Sequence, residues 1–528
     1  MLPLPVSRSV LAHMPCTWTL VALVLLVGCS APSGPGRLSD TPPAPEQWTS
    51  TRFLDATECK SCHPVHYREW KTSMHAYAQH SPIFVAFQEF IQARTGGTLG
   101  TFCVRCHTPI GMSAGESPIR PNAERHAVSM QSVSCVVCHA MATRDGQASS
   151  SFNVPIPGDP VPTMYGPYYG HDEPGAPDDP ERRLIKSPHR SRYSPYISQG
   201  RFCGQCHDVF FTDGTRLEEA FIEWKNSPYA RRGVTCQDCH MGRVPGKITK
   251  RRELPKEPIV DEDLFPDAPK RHRTTHMFMG PDYSVLPAFG KADLGLDDDG
   301  FKSHEQMLEE TRKTLFRNAA SIRVAHADAI VPGSRLKVKV AVTNSGAGHN
   351  LPTGFAAERQ TWLEVILRDA GGTVVYTSGD VDRNGDLRDH ESEEVRHGRA
   401  PLDRDLTNFQ AKFIVTGFRG TDSDNISTTN RLLDPVPFLN PSSTASAIMG
   451  HPFSARQFKR GIPPLATKHA TYGIAVPDDV QGPLTLSVRF RYRNLPPHLL
   501  AAIGVGDLRP KLRIVDMAEY SGQIGVSK

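Results

Sequence analysis

One short arrangement of reactive side chains, Cys-x-x-Cys-His, occurs five times in this chain. The five copies are Cys59, Cys62 and His63; Cys103, Cys106 and His107; Cys135, Cys138 and His139; Cys203, Cys206 and His207; and Cys236, Cys239 and His240. Random placement of the same residues would produce about 0.01 copies. On one helical turn both thiols and the imidazole share a face, so the thiols can add to the two vinyl groups of a haem while the histidine binds its iron. The motif therefore predicts five c-type haems, each with a proximal histidine.

Two other uses of cysteine fit this spacing less well. Twelve cysteines in an exported chain would ordinarily suggest disulfides, but Cys16 and Cys29 alone lie outside the five motifs. Zinc knuckles do not need a histidine after every second cysteine. The formal charge of +4 over 528 residues gives no reason to expect a nucleic acid as partner.

The residues around these motifs resemble a known group of cytochromes. The first motif is followed by Trp70-x-x-Ser73-x-His75, and the last lies in "GVTCQDCHM", upstream of His276 in "THMFMG". Over about residues 51–283 the chain is similar to multihaem cytochromes related to cytochrome c-554 and the hydroxylamine oxidoreductase group. The resemblance implies a mostly helical fold around closely stacked haems, many of them with two histidine ligands. A C-x-x-C-K motif of the kind used for nitrite reduction is missing from this chain, which puts that activity in doubt.

Part of the sequence is repeated. "EWKTSMHA", which begins at Glu69, matches "EWKNSPYA", which begins at Glu223, and Tyr229 stands in the second copy where His75 stands in the first. Internal duplication with the loss of one ligand is one interpretation, and chance similarity between short helices is the other. The motif spacing also suggests two dihaem units, formed by the second and third motifs and by the fourth and fifth.

Each six-coordinate iron needs a second axial ligand, for which histidine from elsewhere in the chain is the usual donor. The resemblance implies His75 and His276, whereas His126 and His189 are candidates because each precedes a haem motif. His349 lies in "GHNLPTG", which is either a rigid turn with an exposed histidine or a ligand delivered by a second domain. Similar turns occur in β-domains appended to cytochromes of this group. The alternative donors are His66, His80, His171 and His272.

The predicted fold class is α+β multidomain: a mostly helical, loop-rich pentahaem cytochrome c domain followed by an antiparallel β-sandwich. Residues 1–28 resemble a lipoprotein signal peptide, in which Cys29 becomes the lipidated first residue, and 29–51 form a flexible tether. The haem domain is predicted over 52–320. Alternating apolar and polar residues with β-branched enrichment predict the sandwich over 321–528.

One acidic segment follows the spacing of a calcium loop. Asp380, Asp382, Asn384 and Glu391 stand at the corresponding positions, although Arg388 occupies a position often used for coordination. Calcium is therefore one hypothesis for this segment, and a simple acidic turn is the favoured one.

The leading functional hypothesis is electron relay at the membrane surface of the bacterial cell envelope, periplasmic or at the outer membrane, between donor and acceptor proteins that the sequence does not identify. The alternative is an oxidoreductase acting on a small nitrogen or sulfur compound at one haem with an open distal position. Tyr229, which replaces His75 in the repeat, is either the marker of that haem or a ligand lost without consequence. A third hypothesis gives the β-domain a docking role in a larger assembly.

Overall fold

The computed structural model describes residues 53–94, 96–97, 99–141, 154, 161–179, 181–210, 216–419, 423–428 and 455–527. All of them belong to one compact unit, Glu46–Lys528. The predicted signal peptide (1–28), its lipidation site Cys29 and the predicted tether (29–51) lie outside the described residues. Within the described ranges, every helix is too short or too polar to cross a bilayer.

The first part of the chain is built from short helices. They are α1 (Ala56–Lys60), α2 (Pro64–Lys71), α3 (Met74–Tyr77), α4 (Pro82–Arg94), α5 (Val104–His107), α6 (Pro109–Ser113), α7 (Cys135–His139), α8 (Gly200–Cys203), α9 (Ala220–Lys225), α10 (Pro228–Arg231), α11 (Cys236–His240) and α12 (Lys291–Leu294). Proline at the first helical position begins several of them, because its fixed φ suits that position.

Three small sheets lie among these helices, so the expectation of a mostly helical region is met only in part. Their strands are β1 (Thr163–Gly166) with β2 (Arg190–Tyr193), β3 (Val209–Phe210) with β4 (Arg216–Glu218), and β5 (Lys256–Glu257) with β6 (Arg271–His272). A long amphipathic helix, α13 (Asp298–Ala319), then leads directly into the strands of the second part.

Two sheets in the second part share one apolar core. The strands are β7 (Ala320–Ala325), β8 (Ala329–Ile330), β9 (Arg335–Asn344), β10 (Gln360–Arg368), β11 (Val374–Ser378), β12 (Lys412–Arg419), β13 (Ser423–Thr428), β14 (Ala455–Phe458), β15 (Thr467–Ala475), β16 (Leu484–Arg493) and β17 (Val515–Val526), with helices α14 (Glu393–Arg396) and α15 (Pro497–Ala502). One sheet has the order β11-β10-β16-β17-β8 and the other β15-β9-β7, and all their pairings are antiparallel except β17 with β8. A third sheet has the order β13-β12-β14.

The core of this sandwich follows from the alternation seen in the sequence. Along β9, Leu336, Val338, Val340 and Val342 are buried, while the lysines between them are exposed. Since successive side chains of a strand point to opposite faces, this alternation places every second residue of β9 against the facing sheet. The described fold is thus α+β, with a haem-motif region and a sandwich that is largely antiparallel.

Candidate functional site

All five Cys-x-x-Cys-His motifs open into one cavity of 1420 Å³. Its lining includes the ten motif cysteines, none of which forms a disulfide, and the five motif histidines. The histidines His75, His189, His276 and His349 line the same cavity. In the described residues, no cluster of three or more metal-binding side chains of the zinc-knuckle kind exists. The paired thiols and the histidine of each motif, all at the cavity wall, fit covalently attached haem.

Local capping fixes two of the motif helices, α1 and α11. In α11, Thr235 is the N-cap residue, and its backbone N–H donates to the Asp238 carboxylate at 2.7 Å. In α1, the N-cap residue Asp55 likewise donates its backbone N–H to the Glu58 carboxylate at 3.0 Å, and its own carboxylate accepts the N–H of Thr57 at 2.7 Å. These caps satisfy backbone donors that a helix of about one turn would otherwise leave free. Each capped turn presents its cysteines on one face toward the cavity.

Four of the motif histidines are oriented by the backbone. Their Nδ1 atoms donate to carbonyl oxygens: His63 to Ile259 at 2.7 Å, His107 to Ala78 at 2.8 Å, His139 to Tyr165 at 2.7 Å and His240 to Met279 at 2.9 Å. The fifth, His207, has its Nδ1 3.7 Å from a carboxylate oxygen of Glu218. A partner on Nδ1 leaves Nε2 as the atom that can bind iron, which is the usual arrangement around metal-bound histidine.

Four histidine pairs face one another at nearly constant separation. The ring centroids are 6.4 Å apart for His63 and His189, 6.4 Å for His139 and His276, 6.2 Å for His207 and His75, and 6.3 Å for His240 and His349. Two imidazoles on opposite sides of one metal, with bonds of about 2.0 Å, would have centroids about 6.2 Å apart. Each pair is therefore spaced for one iron. We name each haem site after its motif histidine.

Burial keeps the four histidines that face motif histidines neutral. It lowers the pKa of His75 and of His276 to about 3 and that of His349 to about 4, and it also lowers the pKa of His189. The protonated imidazole has no lone pair for a metal, so a depressed pKa leaves these side chains ready to bind iron at neutral pH.

The other predicted donor, His126, is not brought to the cavity. Its backbone N–H donates to Glu116 Oε1 at 3.0 Å, and its side chain is not among those that line the cavity. Of the two donors predicted from their position ahead of a haem motif, His189 faces a motif histidine and His126 does not line the cavity. Of the alternative donors, His66 and His272 line the cavity, whereas His80 and His171 do not.

The His107 site differs from the other four. Among the described residues, the ring closest to His107 is that of Phe84, stacked at 3.6 Å with an interplanar angle of 4°. No histidine of the described ranges faces His107 at the spacing of the four pairs. An apolar cluster that includes Ile91 and Leu99 packs beside Cys103 of this motif.

The "GHNLPTG" turn is held from two sides. On the sandwich side, buried Asn344 at the end of β9 donates to the His349 carbonyl at 2.8 Å, and Leu351 forms two backbone bonds with Ile462. On the haem side, Glu223 accepts the Asn350 N–H at 3.1 Å. These bonds fix the turn, and His349 is a half-buried residue of the cavity wall rather than an exposed one.

Thiols of different motifs lie close enough to shift one another's pKa. Cys59 raises the pKa of Cys135, Cys203 that of Cys236, and Cys106 that of Cys206. Cys135 of the third motif thus interacts with the first motif, which the spacing of the motifs did not predict. The fourth and fifth motifs are neighbours, as expected.

The acidic segment after β11 shows no metal arrangement. Asp380 forms an ion pair with Arg388 at 2.5 Å, and Asp382 Oδ1 accepts the backbone N–H groups of Asn384 and Asp386. Ser392 donates its hydroxyl to the other oxygen of Asp382 at 2.5 Å. These bonds engage the carboxylates of Asp380 and Asp382, two of the four predicted calcium ligands, in the manner of an acidic turn.

Comparison with known proteins agrees with the motifs. Residues 58–140 match the family model described as cytochrome c554 and c-prime. This chain is a multihaem c-type cytochrome. Among solved structures, it is similar to a penta-heme cytochrome c552 from Thermochromatium tepidum, with 16% identity and a TM-score of 0.51, over 90% of this chain and 99% of that one. This likeness shows a common fold. No curated protein matches the chain.

Proposed function

We propose that this multihaem cytochrome relays electrons through five covalently bound haems. The observation that supports the proposal most strongly is the set of four histidine pairs at 6.2–6.4 Å inside one cavity. Two imidazoles on an iron close it to substrates and leave electron exchange as its chemistry, while burial and ligand type set the potential.

Contacts between the sites give the relay a continuous path. The His63 and His139 sites meet at Cys59 and Cys135. Phe278 then lies between the next two sites, with its ring centroid 5.6 Å from His276 and 4.6 Å from His75.

From the His207 site the path divides. One cysteine of this site, Cys203, interacts with Cys236 of the His240 site. The other, Cys206, interacts with Cys106 of the His107 site. The His207 site is therefore the junction of the proposed relay.

A second candidate function is an oxidoreductase acting on a small nitrogen or sulfur compound at the His107 site. The observation in its favour is the lack of a facing imidazole in the described part of the chain, where Phe84 is the neighbouring ring. An iron with one free coordination position can bind a small ligand.

Carbon monoxide separates the two functions, because it binds ferrous haem only where a coordination position is open. If the His107 iron is open, the reduced protein takes up one equivalent, and oxidised samples show one high-spin haem that responds to nitrite, hydroxylamine or sulfite. A purely low-spin spectrum with no uptake would leave only the relay. The haem count from the pyridine haemochrome must equal five in either case.

The proposed relay is anchored to the membrane of the cell envelope through a lipid on Cys29, within reach of redox partner proteins. This proposal rests on the signal-like sequence that ends at Cys29. The variant Cys29→Ala is expected to move the protein from the detergent phase to the aqueous phase in phase partition. Cys16→Ala, in the same leader, is the control and should remain in the detergent phase. Unchanged partition of Cys29→Ala would refute the anchor.

A further inference from the structure

The repeated "EWK" segments make the same contacts in two places. Trp70 donates its indole N–H to the carbonyl of Val133 at 2.8 Å, and Trp224 donates to the carbonyl of Val234 at 2.9 Å. Each valine lies two residues before the first cysteine of a motif, Cys135 or Cys236. Each tryptophan is therefore bonded to the segment that carries the proximal side of one haem site, the His139 site or the His240 site.

The glutamates of the two segments bind the distal sides of the same two sites. Glu69 Oε2 accepts the backbone N–H of His276 at 2.9 Å. Glu223 accepts both the backbone N–H of Asn350 at 3.1 Å and its side-chain amide at 2.7 Å, and it also accepts the hydroxyl of Thr353 at 2.6 Å. His276 faces His139, and His349, the neighbour of Asn350, faces His240.

The correspondence extends to the backbone around the repeat. The Val133 N–H donates to the His75 carbonyl at 3.1 Å, and the Val234 N–H donates to the Tyr229 carbonyl at 3.0 Å. Tyr229 itself lies beside Gly348, the residue before His349. The replacement of His75 by Tyr229 in the second copy therefore occurs next to the His240 site and does not mark the His107 site.

The two glutamates have different electrostatic surroundings. Glu69 pairs with Arg273 at 2.8 Å, and both side chains are nearly buried. Glu223 is bonded to amide and hydroxyl donors, and burial raises its pKa to about 7. A buried carboxylate without its hydrogen-bond donors would be costly, so each glutamate constrains the segment that supplies those donors.

We propose that Glu69 and Glu223 are positioning residues for the distal haem ligands, each acting with the adjacent tryptophan as a clamp across one haem site. Trp70 and Glu69 clamp the His139 site between its motif and the His276 segment. Trp224 and Glu223 clamp the His240 site between its motif and the turn of His349. This role rests on the proposed ligand pairs. The duplicated Glu-Trp pair then sets how firmly the distal histidine of each clamped site, His276 or His349, is held.

The test measures competition for the distal position in the oxidised holoprotein. Glu223→Gln removes one carboxylate oxygen and places an amide against the Asn350 and Thr353 donors. Loss of an outer-shell bond that orients a metal ligand typically costs 10–100-fold in metal affinity or activity. Added imidazole should therefore displace the distal ligand at one haem at 10–100-fold lower concentration than in wild type, with five haems still attached. Glu69→Gln should do the same at the other clamped site.

Double variants assign the effect to a site. In the double variant Glu223→Gln with His349→Ala, the imidazole titration of the His240 site should be the same as in His349→Ala alone. In Glu223→Gln with His276→Ala, the titration should show both changes, one at each site. A role limited to general stability would not show this selectivity. Glu89→Gln, on the exposed face of α4, is the control and should titrate like wild type.

Two failures are distinguishable. If His349→Ala and His276→Ala leave all haems low-spin, the ligand pairs are wrong and the proposed relay must be revised. If those variants turn high-spin but the glutamine variants titrate like wild type, the clamp alone is overturned. If a glutamine variant fails to incorporate haem, Glu223→Asp and Glu69→Asp take its place, because aspartate keeps the charge on a shorter side chain. If imidazole titrates both aspartate variants as it does wild type, the clamp is overturned.

Discussion

The variant His349→Ala should keep all five haems and turn one of them high-spin. His349 faces His240 at 6.3 Å, is held by the sandwich through Asn344, and is kept neutral by a burial-lowered pKa of about 4. Without the imidazole the His240 iron has one strong axial ligand. The reduced variant should accordingly bind one equivalent of carbon monoxide more than wild type, measured by optical titration.

A matched control is available in the same sandwich. His469 is an exposed residue of β15, so His469→Ala should leave the spin state and carbon monoxide uptake unchanged. If His349→Ala also leaves every haem low-spin, His349 is not a ligand. The sandwich would then be an appended domain without a role in haem coordination.

The variant His75→Ala should interrupt the relay at its junction. His75 lies on α3, close to the first motif in sequence, yet it faces His207 of the fourth motif at 6.2 Å. Loss of this ligand should turn the His207 haem high-spin and raise its midpoint potential. A hundredfold loss of preference for the ferric form corresponds to a rise of about 120 mV for a one-electron couple. Spectroelectrochemical titration measures this shift.

Electron exchange between the His139 and His240 sites should slow in the same variant, because their connection passes through the His207 site. His80→Ala is the control, since His80 is an exposed neighbour in sequence that does not line the cavity. A spin-state change in His80→Ala without one in His75→Ala would assign the ligand to His80 instead and would remove His75 from the junction.

The covalent chemistry of the sites could be predicted from sequence because it is local. Two thiols and a histidine within five residues share a face of one helical turn whatever surrounds them, so Cys236, Cys239 and His240 identify their haem site unaided. The sandwich was also predictable, since alternation along β9 requires only that one face be buried. The Glu-Trp repeat was visible in the sequence too, but its purpose was not.

The distal partners depend on contacts between residues far apart in the chain, and these only the tertiary structure decides. His126 precedes the third motif by nine residues and does not reach the cavity, while His276 faces His139 from 137 residues away. Glu69 and Glu223 bond to segments 207 and 127 residues downstream. The motifs by themselves determined that this protein holds c-type haem, because thioether attachment is a local geometry. Which histidine completes each iron is decided by packing, since the second imidazole must come from across the haem and therefore from another part of the fold.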